Sequence, residues 1–321
     1  MKTQPTLVVF FAATLIQLCT GCVNGPRTFH ASIRDLDHTV CSVEPPDDQR
    51  SVSDIEVVQG QPNKLVDGIG WALGIPRRIM LWDRRVDNHK VQPETMAEVA
   101  TYAKVNELNG LCVRVNQYDP LGEWKRLAKN DHISPGWRYT VGALGLVGYT
   151  LIPGRIIGVD NYNPYTNSVY VYSDVPALAM EAAAYAKDVK HRDLPGTYAA
   201  VNHLPIVSLW HETINTQDTL NYLQTHGTYD EQREGLAILY PNYGASVGGT
   251  VGSLFGITGV FEIGGAVIGH VSGWHKALDV NPNDIDTVKL QKNSAPERTD
   301  FVRDQSYETL LVGNSQPTQS R

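Results

Sequence analysis

The chain has 321 residues, 42% of them apolar and 19% charged, with a formal net charge of −7. That length fits roughly two domains or one larger α/β or α+β domain, and the apolar content is enough for a packed core rather than a disordered chain. The acidic balance and the lack of a Lys/Arg block argue against a nucleic-acid partner, which needs a positive surface; the four Cys, with no CxxC or CxxCH spacing after residue 22, argue against a haem or multi-zinc protein.

Lys2 gives a short positive start. Leu7 to Leu18 is an uncharged run of 12 residues broken only by Thr14 and Gln17. A bilayer span needs ~20 residues, so the run fits the core of a signal peptide instead. Cys19-Thr20-Gly21-Cys22 follows. Small residues before a Cys, straight after an apolar run, resemble the lipobox of bacterial lipoproteins. Cys19 departs from that pattern, which prefers Leu there, and Leu18 sits one place early. The resemblance implies cleavage before Cys22, acyl chains such as palmitate on its thiol and new amino group, and a membrane-anchored place in the cell envelope, facing the periplasm or the exterior. Several acyl chains hold a protein firmly, at ~0.8 kcal/mol per buried CH₂. An ordinary cleaved signal is the plainer alternative. Of the remaining thiols, Cys41 and Cys112 could pair in an oxidising compartment; the apolar stretch Leu111-Cys112-Val113 suits a buried free thiol equally well.

Val23 to Pro62 is polar, contains Pro45-Pro46-Asp47-Asp48, and reads as a tether. Arg78 to Trp82 reads as a strand. Asp83 and Asp87, beside Arg84 and Arg85, read as a solvated charge run. Pro93 to Leu108 has a helical stripe (Met96, Val99, Ala100, Ala103), with Pro93 and Glu94 in its first turn and Gly110 beyond its end. Leu111 to Asn116 reads as a strand and Leu121 to Lys129 as a short amphipathic helix. This predicts a small N-terminal β-α-β-α layer. Arg155 to Asp160 and Ser168 to Ser173 read as a hairpin around the turn formers 161–167. Val169 and Val171 would share one face, and Tyr170 and Tyr172 the other. The cluster Tyr162, Tyr165, Tyr170 and Tyr172 reads as strand packing, with a sugar or peptide platform as the alternative.

Ser173-Asp174-Val175-Pro176 is a helix start with Asp174 as the expected N-cap. The Ala-rich helix after it extends to Asp188 or beyond, and a second helix is expected from Pro205 to about Leu223. Gly244, Gly248, Gly252 and Gly256 recur every four residues, and Gly265 and Gly269 repeat the spacing. Each Gly costs ~1 kcal/mol against Ala in a helix, yet on one face they permit backbone-close packing, as in GxxxG membrane helices. Gly244 to Phe261 carries no charge, so tightly packed helices and a membrane hairpin both fit; Glu262 weighs against the hairpin. The chain after Asp279 is polar and its last ~15 residues read as a disordered tail.

A strand, a turn and a helix carrying His-Glu-x-x-His resembles the zincin metallopeptidases, in which both His bind zinc and the Glu is the general base on zinc-bound water. The aligned pentapeptide is Met180-Glu181-Ala182-Ala183-Ala184. By that resemblance Glu181 is a vestigial general base, and Met180 and Ala184 occupy the lost ligand positions. The gluzincin branch takes a third ligand from a Glu on the next helix, which implies Glu212 here, with Asp188 and Asp218 in supporting positions. Two departures out of three ligands imply no zinc and no other cofactor, and a pseudoenzyme. His191, His203 and His211 lie near in sequence and could rebuild a metal site, in which case the chain would be an active metallohydrolase; solvated or hydrogen-bonded roles are the plainer reading. Neither a GxSxG elbow nor a Walker A lysine occurs.

The expected fold class is therefore α+β: a zincin-like strand hairpin plus active-site-type helix, with the N-terminal layer and a Gly-rich helical C-terminal segment. The expected organisation is a signal peptide with lipobox (1–22), a tether (23–62), an α+β zincin-like domain (63–240), the Gly-rich segment (241–278) and a polar tail (279–321). The expected role is that of an anchored lipoprotein with an inactive metallopeptidase-like scaffold, in binding or envelope maintenance, with a protein of the envelope as candidate partner. A structural glycine-zipper lipoprotein without enzymatic ancestry is the other alternative.

Overall fold

The structure, a computed structural model, describes residues 55–282 except Pro62 and Gly158. The signal peptide, Cys22, Cys41 and the C-terminal tail lie outside the described residues. The fold is mixed α and β, mostly helical, with one small four-stranded sheet. In chain order the elements are β1 (Glu56–Gln59), α1 (Lys64–Leu73), α2 (Ile75–Leu81), α3 (Pro93–Val105), β2 (Cys112–Val115), α4 (Pro120–Lys129), α5 (Pro135–Trp137), a π-helical turn (Arg138–Gly142), α6 (Ala143–Leu151), α7 (Gly154–Ile157), β3 (Asn161–Asn163), β4 (Ser168–Val171), α8 (Pro176–Lys190), α9 (Pro195–Val201), α10 (Pro205–His226), α11 (Tyr229–Ser253) and α12 (Thr258–Leu278).

The sheet order is β1-β2-β4-β3. β1, β2 and β4 run parallel, with Val57 beside Val113 and Val113 beside Val169; β3 is antiparallel to β4. Every residue of β2 and β4 is buried, as expected of parallel strands covered on both faces. On one face Val169 and Tyr162 lie under α8, where Tyr162 meets the Tyr185 ring edge-on. On the other, Tyr170 stacks on Tyr149 of α6. There Glu123 of α4, with no exposed surface, accepts bonds from Arg114, Ser168 and Tyr170. The buried carboxylate is tolerated because every donor it needs is supplied.

Several expectations need correction. Arg78 to Trp82 is not a strand: Ile75–Leu81 is a helix with Pro at its first turn. A short apolar run fits either element, and here the Arg78 guanidinium fixes the helix by bonding to the Asp87 and Trp71 carbonyls. Arg155 to Asp160 is not the first hairpin strand; Gly154–Ile157 is helical, and β3 lies inside the segment read as turn. The turn itself is tighter, with Asn167 in the left-handed region at φ 53°. Asp174 is not the cap of α8, whose N-cap is Val175. Its carboxylate accepts from the Gln92 amide and the Thr95 hydroxyl at the start of α3, so it anchors a different helix. Asp87 is buried rather than solvated. The folded part also starts before residue 63, because β1 pairs with β2. Cys112 is a free thiol buried in β2, pushed up to about 11 by burial.

The Gly-rich segment forms two packed helices, α11 and α12, joined through Gly256 at φ 69°. No helix among the described residues is long and apolar enough to cross a membrane.

Candidate functional site

α8 begins where β4 delivers the chain, after Pro176, and runs for 15 residues. Its Ala residues let neighbours approach closely. Glu181, Ala184 and Asp188 fall on one face, at i, i+3 and i+7. That face meets α10: the Thr216 hydroxyl donates to Glu181 Oε1 at 2.6 Å, and Asp188 Oδ2 lies 3.3 Å from His211 Nδ1. Ala184 sits between those two contacts, where a small side chain allows the helices to close.

A cavity of about 1110 Å³ opens beside this contact. From α8 it is lined by Leu178, Glu181, Ala182 and Tyr185; from α10 by Ser208, His211, Glu212 and Asn215; α11 contributes Asn242 and α2 contributes Arg77. Glu181 Oε2 accepts from Asn242 Nδ2 at 2.9 Å. Behind Asn242, Arg77 donates to its carbonyl oxygen at 3.3 Å and pairs with Asp87 at 3.0 Å. Asp87 also takes a bond from the Ser173 hydroxyl.

The electrostatics follow from this geometry. Burial pushes Glu181 well above the usual carboxylate range, and the like charge of Glu212 adds to it; the Thr216 and Asn242 bonds and the Arg77 charge only partly oppose the rise. Glu212 is raised by burial as well, with His211 and Arg77 opposing. Both carboxyl groups are therefore biased towards the neutral form. Asp87 is pushed up to about 6 by burial, against the pull of Arg77 and with Asp160 adding to it. For Asp188, burial works to raise it, but bonds from His211 and Tyr198 and the Arg192 charge outweigh that and hold it low.

His211 is fully engaged. Its Nδ1 faces Asp188 and the Tyr198 hydroxyl, and its Nε2 lies 3.2 Å from Asn215 Nδ2. The Asp188 carboxylate accepts from Nδ1. His203 is exposed, and the exposed His191 ring turns back to the Lys187 carbonyl at 2.7 Å. Of these three, His211 alone lines the cavity.

The residues implied by the zincin resemblance are thus dispersed in role. Glu181 and Glu212 share the cavity. Met180 and Ala184 are buried in the hydrophobic core and do not line it. Asp188 serves His211, Tyr198 and Arg192. Asp218 accepts from Tyr102 and pairs with Lys187 at 2.5 Å, bonding neither cavity glutamate. A zinc ion needs about three protein donors of imidazole, thiolate or carboxylate type; a thioether and a methyl at two of the three positions do not fit it. Among the described residues no three His, Cys, Asp or Glu side chains converge as a metal site. The sequence pattern gave no hint of Asn242, Thr216 or Arg77, because each reaches the site from a separate element and carries no local motif.

No family model, curated protein or solved structure matches this chain.

Proposed function

We propose that the protein is a membrane-anchored envelope lipoprotein, lipidated at Cys22, whose folded part is a zincin-like scaffold without its zinc ligands, acting in binding or envelope maintenance rather than hydrolysis. One observation carries the scaffold reading: Glu181 and Glu212, on two long helices, line one cavity, while the two pentapeptide positions that hold imidazoles in zincins carry Met180 and Ala184, both buried in the core. The contacts of both His211 nitrogens, Nδ1 with Asp188 and Nε2 with Asn215, support a binding rather than a catalytic role.

Two measurements test this reading. Equilibrium dialysis against zinc should leave the native chain without stoichiometric metal, and Met180→His with Ala184→His should create zinc binding that Glu212→Gln then weakens. Stoichiometric zinc on the native chain, with a hydrolytic activity lost in Glu181→Gln, overturns the pseudoenzyme; no gain of binding in a folded double variant overturns the scaffold. Labelled palmitate should enter the native chain and not Cys22→Ala; equal labelling removes the lipobox.

A further inference from the structure

α12 has two faces with opposite relations to the rest of the fold. On one, Gly265, Gly269 and Gly273 press against α11: a Cβ at Gly265 would stand 1.9 Å from the Gly244 carbonyl oxygen, and one at Gly269 2.3 Å from that of Tyr240. That contact fixes the rotation of the helix about its axis. On the other face Val260, Ile263, Val267, Val271, Trp274 and Leu278 follow one another at spacings of three and four. Each is between 50% and 71% exposed. The stripe runs about 27 Å at 1.5 Å per residue. It holds no charged residue; Glu262 and Lys276 fall on the far side of the helix. Ile79 and Trp82 of the neighbouring α2 region are also exposed, and the Trp82 ring stacks on His270 of α12 at 3.9 Å.

Scattered surface apolar residues are ordinary, but a continuous uncharged stripe of this length marks a contact. We propose that this face of α12 docks on a lipid bilayer, lying in the headgroup boundary as an in-plane amphipathic helix.

The chain that precedes the fold points to the occupant. Residues 1–54 come before Ile55, and Cys22, the expected lipid site, is 33 residues from it. A chain of that length reaches at most about 120 Å when extended, so a lipid on Cys22 keeps α12 within reach of the same membrane. The inference rests on the anchoring half of the proposed function in that respect. The stripe also matches a membrane better than a protein partner: specific protein interfaces carry a polar rim and about one hydrogen bond per 100–200 Å², and between Val260 and Leu278 this face offers apolar side chains and Gly264, with the exposed His275 at its edge. Trp274, near one end, is a residue type that favours the membrane–water boundary. Ile263 and Val267 of the same stripe line the cavity together with Ile79 and Trp82, so docking would turn the cavity mouth towards the bilayer.

The test uses the full-length chain with Cys22→Ala, which removes the lipid, and the same chain carrying Val271→Asp and Trp274→Ser in addition. Both are mixed with phosphatidylcholine vesicles and floated on a density gradient. The Cys22→Ala chain should float with the vesicles, and the triple variant should lose at least tenfold in bound fraction while its circular dichroism stays unchanged. Both residues are exposed and outside the cavity lining, so folding should survive. Equal flotation of the two chains, which would assign binding to Leu7–Leu18, overturns the proposal. So does a vesicle-independent dimer of Cys22→Ala that the added substitutions break, because the face would then belong to a second copy. Neither result depends on palmitate labelling, so failure here is separable from failure of the lipobox.

Discussion

The two helix pairs that wall the cavity are built in opposite ways. α8 and α10 meet through side chains: Glu181 with Thr216, Asp188 with His211, Lys187 with Asp218. α11 and α12 meet through backbone, with Gly244, Gly248 and Gly252 on one helix facing Gly265, Gly269 and Phe261 on the other. Both pairs use small residues, but for different ends. Alanine in α8 brings a neighbour near enough for polar side chains to reach across it. Glycine in α11 and α12 removes the side chain altogether, leaving carbonyl oxygens against Cα atoms. The first contact can lose one bond and relax; the second has no flexible atom that can move aside. The cavity thus has one wall tuned by chemistry and one fixed by shape.

The strongest way to break this comparison is Gly248→Val. A Cβ there would lie 1.9 Å from the Phe261 carbonyl oxygen and 3.1 Å from the Glu262 Cα. Both are backbone-held, so the helices must part. Overpacking of this kind costs about 3 kcal/mol, readable as a lowered urea midpoint at unchanged slope. An unchanged midpoint would mean the helices are not in this register.

A second prediction sharpens the other wall. Glu181 titrates above its ordinary 4.5, towards about 8, for reasons of burial first and Glu212 second. The native state therefore holds a proton that the unfolded chain has released. Stability contributed by this group is present below about 4.5 and is lost as pH rises towards 8. One group titrating in only one state changes stability by about 1.4 kcal/mol per pH unit. Asp87, raised to about 6, and Glu98, raised to about 7 by burial with Glu231 and Glu234 adding to it, act in the same direction. Glu181→Gln should therefore flatten the fall in stability over this range without abolishing it, as read by urea unfolding at several pH values. An unchanged slope would show that Glu181 is ionised in the folded chain.

What was legible in the sequence divides along the same line. The long helices are plain in the sequence: Pro176 and Pro205 open α8 and α10 as expected, and the glycine spacing points to a backbone-close contact without naming its partner. Glu181 and Glu212 were singled out, and they do share a cavity. Failures came where a short segment owes its form to distant residues. Arg78 to Trp82 became helix through bonds to the Trp71 and Asp87 carbonyls. Asp174 looked like a local cap and serves α3 instead, 79 residues away at Thr95. Asp87 sits in a charged run that reads as solvated, yet its left-handed backbone turns the carboxylate inward to Ser173 and Arg77. No local pattern encodes those meetings, and Asn242, which holds one Glu181 oxygen, sits between Pro241 and Tyr243 with no motif to mark it.

The smallest effect is the most discriminating, because it separates two adjacent residues. Gly264 and Gly265 are neighbours in the middle of α12, and composition treats them alike. In the fold they differ completely. A Cβ at Gly264 meets nothing within 4 Å, whereas one at Gly265 would stand 1.9 Å from the Gly244 carbonyl oxygen. At Gly264 an alanine has helical backbone and open space, so it should only restrict the unfolded chain and improve helix propensity. The expected gain is about 0.5–1 kcal/mol, seen as a rise of a few degrees or less in melting temperature. Gly265→Ala should move stability the other way. Opposite signs at adjacent positions can arise only if one face of α12 is pressed onto α11 and the next is open. Equal signs would mean that the glycines do not distinguish the faces, and the fixed rotation of α12 that exposes its apolar stripe would go with them.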